Sequence, residues 1–472
     1  MNTLPDINKN FAEWYNEIVY KAELADQSPV RGSMVVRPYG WALWELIQKR
    51  LDQRIKETGH ENAQFPLFIP ESFLKREAKH VEGFATELAV VTHAGGKKLE
   101  EPLVVRPTSE TVIHAMFAEW IKSWRDLPLK INQWANVVRW ELRPRPFLRT
   151  TEFFWQEGHT AHETYEQAQE EAYMILREYI DLFTNYLAIP VIAGQKSESE
   201  KFPGADITLT FEGIMQDGKA LQMGTSHLLS QSFAHVSHMQ YQNKDGQMAY
   251  PYLTSWGTTT RLVGAVVMVH GDAKGLVLPP MIAPIQVIII PILKKNADND
   301  AVLTMVDTID AQLKAVGIRS KIDKTDKSPG VKFYHWEMKG VPLKVEIGPR
   351  DLEVKQAMVA DRLGLQKEAV SLENIKEYIA QRLVAFQSQI LERAIQKRAS
   401  LWRKLAKLSE FGPLLDAEPS FYQTGWCGNK ECEAQLKQFK ATTRCVLKET
   451  TFDQCFNCDQ SNKHDVIVAK SY

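Results

Sequence analysis

Between residues 137 and 157 the chain alternates as two strands around Arg143-Pro144-Arg145-Pro146, a turn whose prolines lack the amide hydrogen a sheet ladder needs. Side chains two apart on a strand share a face, so Arg139 and Glu141 project together, and Arg149, Thr151, Phe153, Trp155 and Glu157 do the same on the return. A charged and aromatic face backed by an apolar one is a floor for a polar ligand. The same pattern also describes an amphipathic hairpin whose charges are merely solvated, so residues elsewhere must decide.

Around the hairpin the elements are of mixed type. A helix is expected over 41–56, with Trp44, Ile47, Leu51 and Ile55 on one face and Gly59 to stop it. An extended run follows over 65–70, then a strand over 103–106 and a helix over 110–124 that Thr108-Ser109 can cap. Residues 163–187 read as a long helix, short strands flank Asp217-Gly218, and 254–269 starts strand-like before an apolar run containing glycine. Pro279, Pro280 and Pro284 then break the chain, because neither a helix nor a central strand passes through them. Beyond the break, strands over 286–290 and 341–347 alternate with a helix over 301–316 and an amphipathic helix marked by Ile375, Tyr378, Ile379, Leu383, Phe386 and Ile390, the pattern of a compact α/β domain. That helix runs into a basic stretch over 393–407, a candidate phosphate track or simply a solvated face.

At 472 residues the chain is too long for one core. Its 44% apolar and 24% charged residues are those of an ordinary soluble protein, and a net charge of -1 means that any RNA-binding surface must come from local clusters. The N-terminus lacks the basic start and apolar core of a signal peptide, and the longest apolar runs are about half what a membrane-spanning helix needs. A cytoplasmic protein with no membrane partner is expected. The five cysteines all fall between Cys427 and Cys458, which in a reducing compartment points to metal rather than disulfides. Cys427, Cys432, Cys455 and Cys458 supply four thiolates in two pairs for a closed tetrahedral zinc site. Cys445 is then a spectator, or alternatively takes the place of Cys432.

Three segments in order resemble the motifs of class II aminoacyl-tRNA synthetases. The helix ending at Gly59 with Phe65-Pro66-Leu67-Phe68 is similar to motif 1, Arg139-Trp140-Glu141 with Arg149 and Phe153 to motif 2, and Gly257-Thr258-Thr259-Thr260-Arg261-Leu262-Val263-Gly264 to motif 3. Longer strings narrow the likeness to the prolyl-tRNA synthetases of archaeal/eukaryotic type. These include Arg106-Pro107-Thr108-Ser109-Glu110-Thr111, Trp155-Gln156-Glu157-Gly158-His159, Gly224-Thr225-Ser226-His227, Val269-His270-Gly271-Asp272 and the closing Ser471-Tyr472. The resemblance spans essentially the whole chain. It implies an α+β catalytic domain with a class II antiparallel sheet and flanking helices (1–283), an α/β anticodon-binding domain (284–405) and a small zinc-binding α/β C-terminal domain (406–472).

The resemblance also implies the activity, a ligase that joins L-proline to tRNA(Pro) through a prolyl-adenylate, and the roles of residues. Arg139, Arg149 and Arg261 are the expected catalytic groups, because arginine grips phosphate bidentately and keeps its charge. Arg139 would hold the α-phosphate and the substrate carboxylate, Glu141 the adenine side, and Arg149 and Thr150 the outer phosphates and adenine region. Gln222, Thr225, Thr259 and Arg261 would complete the ATP site, with Mg²⁺ accompanying the nucleotide. Thr108 and Glu110 would receive the proline ammonium, and Phe84, Trp155, Phe202 and His227 would wall its ring. Taken alone, Thr108 is a plain helix cap, the aromatic residues are core, and His227 is a structural histidine. Glu346 and Arg350 are the anticodon-reading candidates, though each also fits a surface ion pair. Zinc is expected to be structural, Tyr472 to turn back toward the active site, and the chain to form a homodimer through motif 1. About a hundred residues separate Glu157 from Ser255, too few for an editing domain besides the elements already there, so correction of mischarged tRNA would fall to a separate trans-editing protein. The rival readings are a threonyl or seryl enzyme and a synthetase-like RNA-binding protein without catalysis. The tail position of every cysteine speaks against the threonyl enzyme, and the presence of all three arginines against loss of catalysis.

Overall fold

The computed structural model describes residues 4–76, 88–294, 298–364 and 367–472. Its frame is an eleven-stranded sheet. From edge to edge the strands are Trp402–Lys404, Phe421–Trp426, His464–Ala469, Thr442–Val446, Ile192–Gln195, Ile207–Ile214, Ala220–Ser230, Tyr252–Thr259, Glu152–His162, Leu129–Val138 and Glu61–Asn62. The strands from Ile192–Gln195 to Leu129–Val138 pair antiparallel, as expected of the catalytic domain.

Helices pack on this sheet because each carries an apolar stripe or is apolar all round. Pro38–Glu57 starts with proline at its first turn, where a missing amide hydrogen is harmless, and buries Leu43, Trp44, Ile47, Leu51 and Ile55 before Gly59 turns the chain at φ +84. Tyr165–Asp181 is capped by the Thr164 side chain and buries Ala172, Ile175, Leu176 and Tyr179 in the same core. Arg261–His270 is buried on every side from Leu262 to Met268. The strand-like start of 254–269 therefore ends at Thr259, and the apolar run is a helix, a distinction periodicity cannot make for a fully buried segment.

Other boundaries shift for local reasons. The helix expected over 110–124 stops at Trp120, and a 3₁₀ turn, Trp124–Asp126, follows with Ser123 and Asp126 capping each other. Ser109 sits at the cap position of Glu110–Trp120 but makes no capping bond: its hydroxyl donates to Glu157 and its oxygen accepts from Gln133 Nε2 at 3.3 Å. The long helix over 163–187 loosens into a π turn, Leu182–Tyr186. Strands and the helix Tyr165–Asp181 occupy the stretch between Glu157 and Ser255, and no inserted domain interrupts it.

Beyond the proline break, a second sheet runs in the order Ser320–Ile322, Val287–Pro291, Leu343–Ile347, Gln356–Asp361, Lys367–Ser371. The first three strands are parallel and the last two antiparallel. Helices Asp300–Ala315 and Ile375–Ser400 bury Val306, Ile309, Leu313, Ile375 and Ile379 against it. Ile375–Ser400 is 26 residues long, and its second half leaves this unit to pack Phe386 and Ile390 against Ala188 and Val277. The C-terminal strands continue the catalytic sheet through the pairing of Val446 with Gln195, sharing a core of Ile192, Ile214, Ala220, Phe421, Cys445 and Ile467.

Candidate active site

The hairpin departs from simple alternation at its tip. Its ladder ends where Val138 faces Glu152, so Arg139, Glu141, Arg149 and Thr150 lie on the connecting loop rather than on strands. The loop is built by its prolines, by Phe147 at φ +59, and by reciprocal backbone bonds between Arg145 and Arg149 (2.6 and 3.0 Å). Thr151 is drawn away from the ligand face: its amide donates to Gly32 O at 2.9 Å. A Cβ on Gly32, itself at φ +84, would lie 2.3 Å from Thr151 Oγ1. On the returning strand the expected alternation holds, and Phe153, Trp155, Glu157 and His159 face one cavity.

That cavity has a volume of 690 Å³. Its walls bring together Thr108, Glu110, Arg139, Glu141, Arg149, Thr150, Trp155, Phe202, Gln222, Thr225, His227, Thr259 and Arg261, which is every expected nucleotide and proline residue except Phe84. Phe84 lies outside the described residues.

One end is cationic. Arg139 Nε donates to Pro107 O (2.9 Å), and the guanidinium lies 5.5 Å from the ring centres of Phe153 and Trp155. Arg261 is fixed by bonds to Leu148 O (3.3 Å) and Gln222 O (3.0 Å), and its amide is capped by Thr259 Oγ1 at 3.0 Å. Arg149 is more exposed, with Nε 3.5 Å from Glu141 Oε2. Burial, with the charges of Arg139 and Arg149 added, brings the Arg261 guanidinium down to about 10, still charged at neutral pH. Three mutually repelling cations at one end of a cavity favour a polyanion there.

The lining also carries acidic groups. Thr108 donates its hydroxyl to the buried Glu110. Burial alone would raise the Glu157 carboxyl, but bonds from His159 (3.0 Å), Ser109 (2.6 Å) and Gln133 (2.7 Å) hold it below the usual carboxylate range. Against its own burial, His159 is pushed up by that carboxylate. His227 is the opposite case: burial, then the nearby His159 charge, pushes it down to about 3. Its two ring nitrogens meet the hydroxyls of Thr208 (3.0 Å) and Thr225 (2.9 Å), and its ring lies 4.7 Å from that of Phe202. A neutral, doubly held imidazole is a wall rather than a charge. Glu157, His159, Lys196, Glu200, Lys201 and Thr208 also line the cavity without having been singled out as ligand residues. Glu157 and His159 follow from the two-residue alternation with Trp155, whereas the loop over 196–206 carries no periodic signal.

Comparison with known proteins finds three family models in succession along the chain. Family models described as tRNA synthetase class II core domain (G, H, P, S and T), anticodon binding domain, and prolyl-tRNA synthetase C-terminal match residues 91–270, 286–382 and 408–472. "Proline--tRNA ligase 2" of Clostridioides difficile is 50% identical over 98% of this chain and 96% of its own length. "Proline--tRNA ligase" of Ruminiclostridium cellulolyticum is 50% identical over 99% and 98%. The chain belongs to the prolyl-tRNA synthetase family. Among solved structures, a prolyl-tRNA synthetase from Cryptosporidium parvum complexed with halofuginone and AMPPNP superposes with a TM-score of 0.95 at 40% identity, covering 99% of both chains. One from the same organism complexed with L-proline and AMP gives 0.93 at 38%, covering 100% of this chain and 99% of the other.

In this prolyl-tRNA synthetase family member, Cys427, Cys432, Cys455 and Cys458 place their sulfur atoms within 4.8 Å of one another, with Cys427 3.8 Å from both Cys432 and Cys458. Thiolates about 2.3 Å from a tetrahedral zinc ion are roughly 3.8 Å apart, so the set fits that metal. Cys445 lies in the strand Thr442–Val446, fully buried in a different core and outside this cluster. In the second sheet, Glu346 is buried and held by Lys344 (2.9 Å) and Lys367 (3.2 Å), while Arg350 is exposed on the short helix Pro349–Glu353. The basic stretch is broken up: Arg398 donates to Val191 O, Arg403 pairs with Glu418 and Lys407 with Asp459. Tyr472 does turn back, with its hydroxyl on Asp217 (2.6 Å), its amide on Ala220 O (3.1 Å) and its ring 5.6 Å from Arg145 of the hairpin loop, but it stops outside the cavity lining.

Proposed function

We propose that the chain activates L-proline with ATP and charges tRNA(Pro), working in the cavity between the hairpin and the helix Arg261–His270. The observation that carries this reading is the convergence of Arg139, Arg149 and Arg261 in one cavity whose lining also carries Glu110, Glu157, Trp155, Phe202 and His227. A proline carboxylate oxygen attacks the α-phosphorus, the bond to the β-phosphate oxygen breaks, and pyrophosphate leaves. The terminal ribose hydroxyl of the tRNA then attacks the activated carbonyl carbon and releases AMP. Both steps demand alignment and charge neutralisation rather than a covalent protein group.

Arg139, held by Pro107 O next to Thr108, is assigned to the α-phosphate and the proline carboxylate. Arg149 and Thr150 take the outer phosphates and adenine region, Glu141 the adenine side, and Gln222, Thr225, Thr259 and Arg261 the rest of the nucleotide. Thr108 and Glu110 take the secondary ammonium, and Trp155, Phe202 and His227 enclose the ring. Mg²⁺ accompanies the nucleotide and would neutralise phosphate charge. Zinc held by Cys427, Cys432, Cys455 and Cys458 is structural, since the cluster lies outside the cavity lining.

The working units are taken as 1–283, 284–405 and 406–472, and the branch as the archaeal/eukaryotic type. Glu346 and Arg350 are assigned to the anticodon. A homodimer is supported by Phe68, Val90 and Trp120, apolar side chains left exposed near motif 1, and light scattering tests it. A pocket sized for proline rejects alanine by only about 1–3 kcal/mol of lost apolar contact, so a separate trans-editing partner is part of the proposal. The proposal also places the protein in the cytoplasm; no helix among the described residues is long and apolar enough to cross a membrane. The deciding experiment is amino-acid-dependent pyrophosphate–ATP exchange with proline, threonine and serine. Exchange with proline alone is expected, and equal exchange with threonine or serine would overturn the reading.

A further inference from the structure

The loop over 196–206, between the strands Ile192–Gln195 and Ile207–Ile214, lines the cavity through Lys196, Glu200, Lys201, Phe202 and Pro203. At its far end Phe202 is fixed by its amide on Thr208 Oγ1 (2.9 Å), and the same hydroxyl meets His227, whose ring lies 4.7 Å from Phe202. At its near end the loop is held largely by residues more than two hundred positions away. Ser197 donates its hydroxyl to Glu433 Oε1 at 2.5 Å, with both side chains buried. Lys196 donates to Glu212 (2.9 Å) and to Arg444 O (2.9 Å), and Arg444 in turn grips Glu212 with two nitrogens (3.0–3.3 Å). Lys196, Glu212 and Arg444 are all buried, and the Glu212 carboxylate is the counter-charge that both cations share.

We propose that Glu433 and Arg444 of the C-terminal unit are positioning residues for proline recognition, acting by clamping the 196–206 loop so that Phe202 closes the pocket against His227. The inference rests on the proline reading of the cavity given above. Backbone bonds at the start of the loop support it: the amides of Glu200 and Lys201 both donate to Ser197 O (3.1 and 2.9 Å), so a shift of Ser197 is passed to the turn that presents Phe202. The ATP-facing groups Arg139, Arg149 and Arg261 take none of these bonds, so the effect should fall on proline and not on the nucleotide.

The test is steady-state pyrophosphate exchange on the full-length protein, with KM for proline and for ATP, kcat and the thermal midpoint measured together. Glu433→Ala and Ser197→Ala are each expected to raise the proline KM about five- to tenfold, the scale of one buried hydrogen bond. KM for ATP and kcat should stay within about twofold. Glu433→Gln keeps an oxygen that accepts from Ser197 and is expected to restore the proline KM. The double variant Glu433→Ala with Ser197→Ala should be no worse than either single one, since both remove the same bond. Arg444→Lys should raise the proline KM in the same selective way. An unchanged proline KM in both single variants would overturn the inference. So would a parallel loss of proline KM, ATP KM and kcat with a lowered midpoint, which marks a merely structural role. Absence of proline-dependent exchange in the unaltered protein would instead refute the functional reading beneath it.

Discussion

Arg139 is the arginine of the three that also lies beside the aromatic wall, held by Pro107 O and near Phe153 and Trp155. Arg139→Ala is expected to lower proline-dependent exchange by about two orders of magnitude, roughly 3 kcal/mol of transition-state stabilisation, with unchanged circular dichroism. Activity within fivefold of the unaltered protein would exclude the assigned role. A second residue-scale prediction concerns protons. Burial is the largest cause that pushes His227 down to about 3, and His162 and His270 to about 4. In the unfolded chain each takes up a proton near pH 6.5, while the folded protein stays neutral until about pH 4, so folding loses stability as pH falls between these limits. The slope is up to about 1.4 kcal/mol per pH unit for each histidine, and His159, raised by Glu157, works in the opposite direction. The urea midpoint should therefore be lower at pH 5.5 than at 7.5. His270→Gln, which can still donate to Leu187 O, should narrow the difference. An equal or higher midpoint at pH 5.5 would contradict the neutral assignments. The identities of these site residues were legible because Arg139, Trp155 and Arg261 sit in strings with a recognisable chemistry. Their partners were not. The Ser109 side chain, read as a helix cap that accepts from a backbone amide, instead donates to a glutamate 48 positions away and accepts from Gln133 Nε2, an arrangement only tertiary packing decides.

Among the elements, legibility followed the strength of the local signal. The helix Pro38–Glu57 lies within a few residues of the 41–56 expectation because its stripe and its glycine stop agree. The hairpin strands Leu129–Val138 and Glu152–His162 were correctly paired, yet placing Arg139 and Arg149 on them was wrong. A turn with two prolines and a left-handed Phe147 needs more residues than alternation suggests. The helix Arg261–His270 gave no amphipathic stripe because it has no solvent face. The two cysteine pairs were legible by spacing, but spacing left Cys432 and Cys445 as alternatives; the structure clusters Cys432 with the other three, and the strand Thr442–Val446 turns Cys445 into a separate core. Metal analysis of the purified protein is accordingly expected to find about one zinc per chain, as a four-thiolate site requires. Cys455→Ser should lose that zinc and lower the thermal midpoint, and Cys445→Ser should retain it. Loss of zinc in Cys445→Ser, with Cys432→Ser still loaded, would reinstate the alternative ligand set.

At the scale of the molecule, the order of the units could be read from the proline break and the change of pattern after it, but not how they are joined. The C-terminal strands extend the catalytic sheet, a pairing of Val446 with Gln195 that no local signal announces. The second sheet is locked to the catalytic unit by Arg362, which bonds Asp272 with two nitrogens (2.7 and 3.1 Å) and Glu337 O with a third (2.8 Å). Around it Tyr39 reaches Lys339 O (3.0 Å), Trp14 binds Asp272 O (3.0 Å), and the backbone of Leu276 pairs with Met338 O (2.9 Å). A tRNA gripped at the anticodon must present its far end to the cavity, so the angle between the units sets where the ribose hydroxyl arrives. Proline activation needs no such angle. Arg362→Met keeps much of the side chain's volume but removes the fork, and should lower tRNA charging by about tenfold, since small misplacements of a reacting group are costly. Proline-dependent exchange should remain within about twofold, because the groups that Arg362 bonds, Asp272 and Glu337, lie outside the cavity lining. If exchange and charging fell together, Asp272 would be supporting the catalytic core itself rather than the alignment of two units. If neither changed, the remaining backbone pairing between Leu276 and Met338 would be enough to hold the angle, and the arginine fork would have no part in delivering the tRNA.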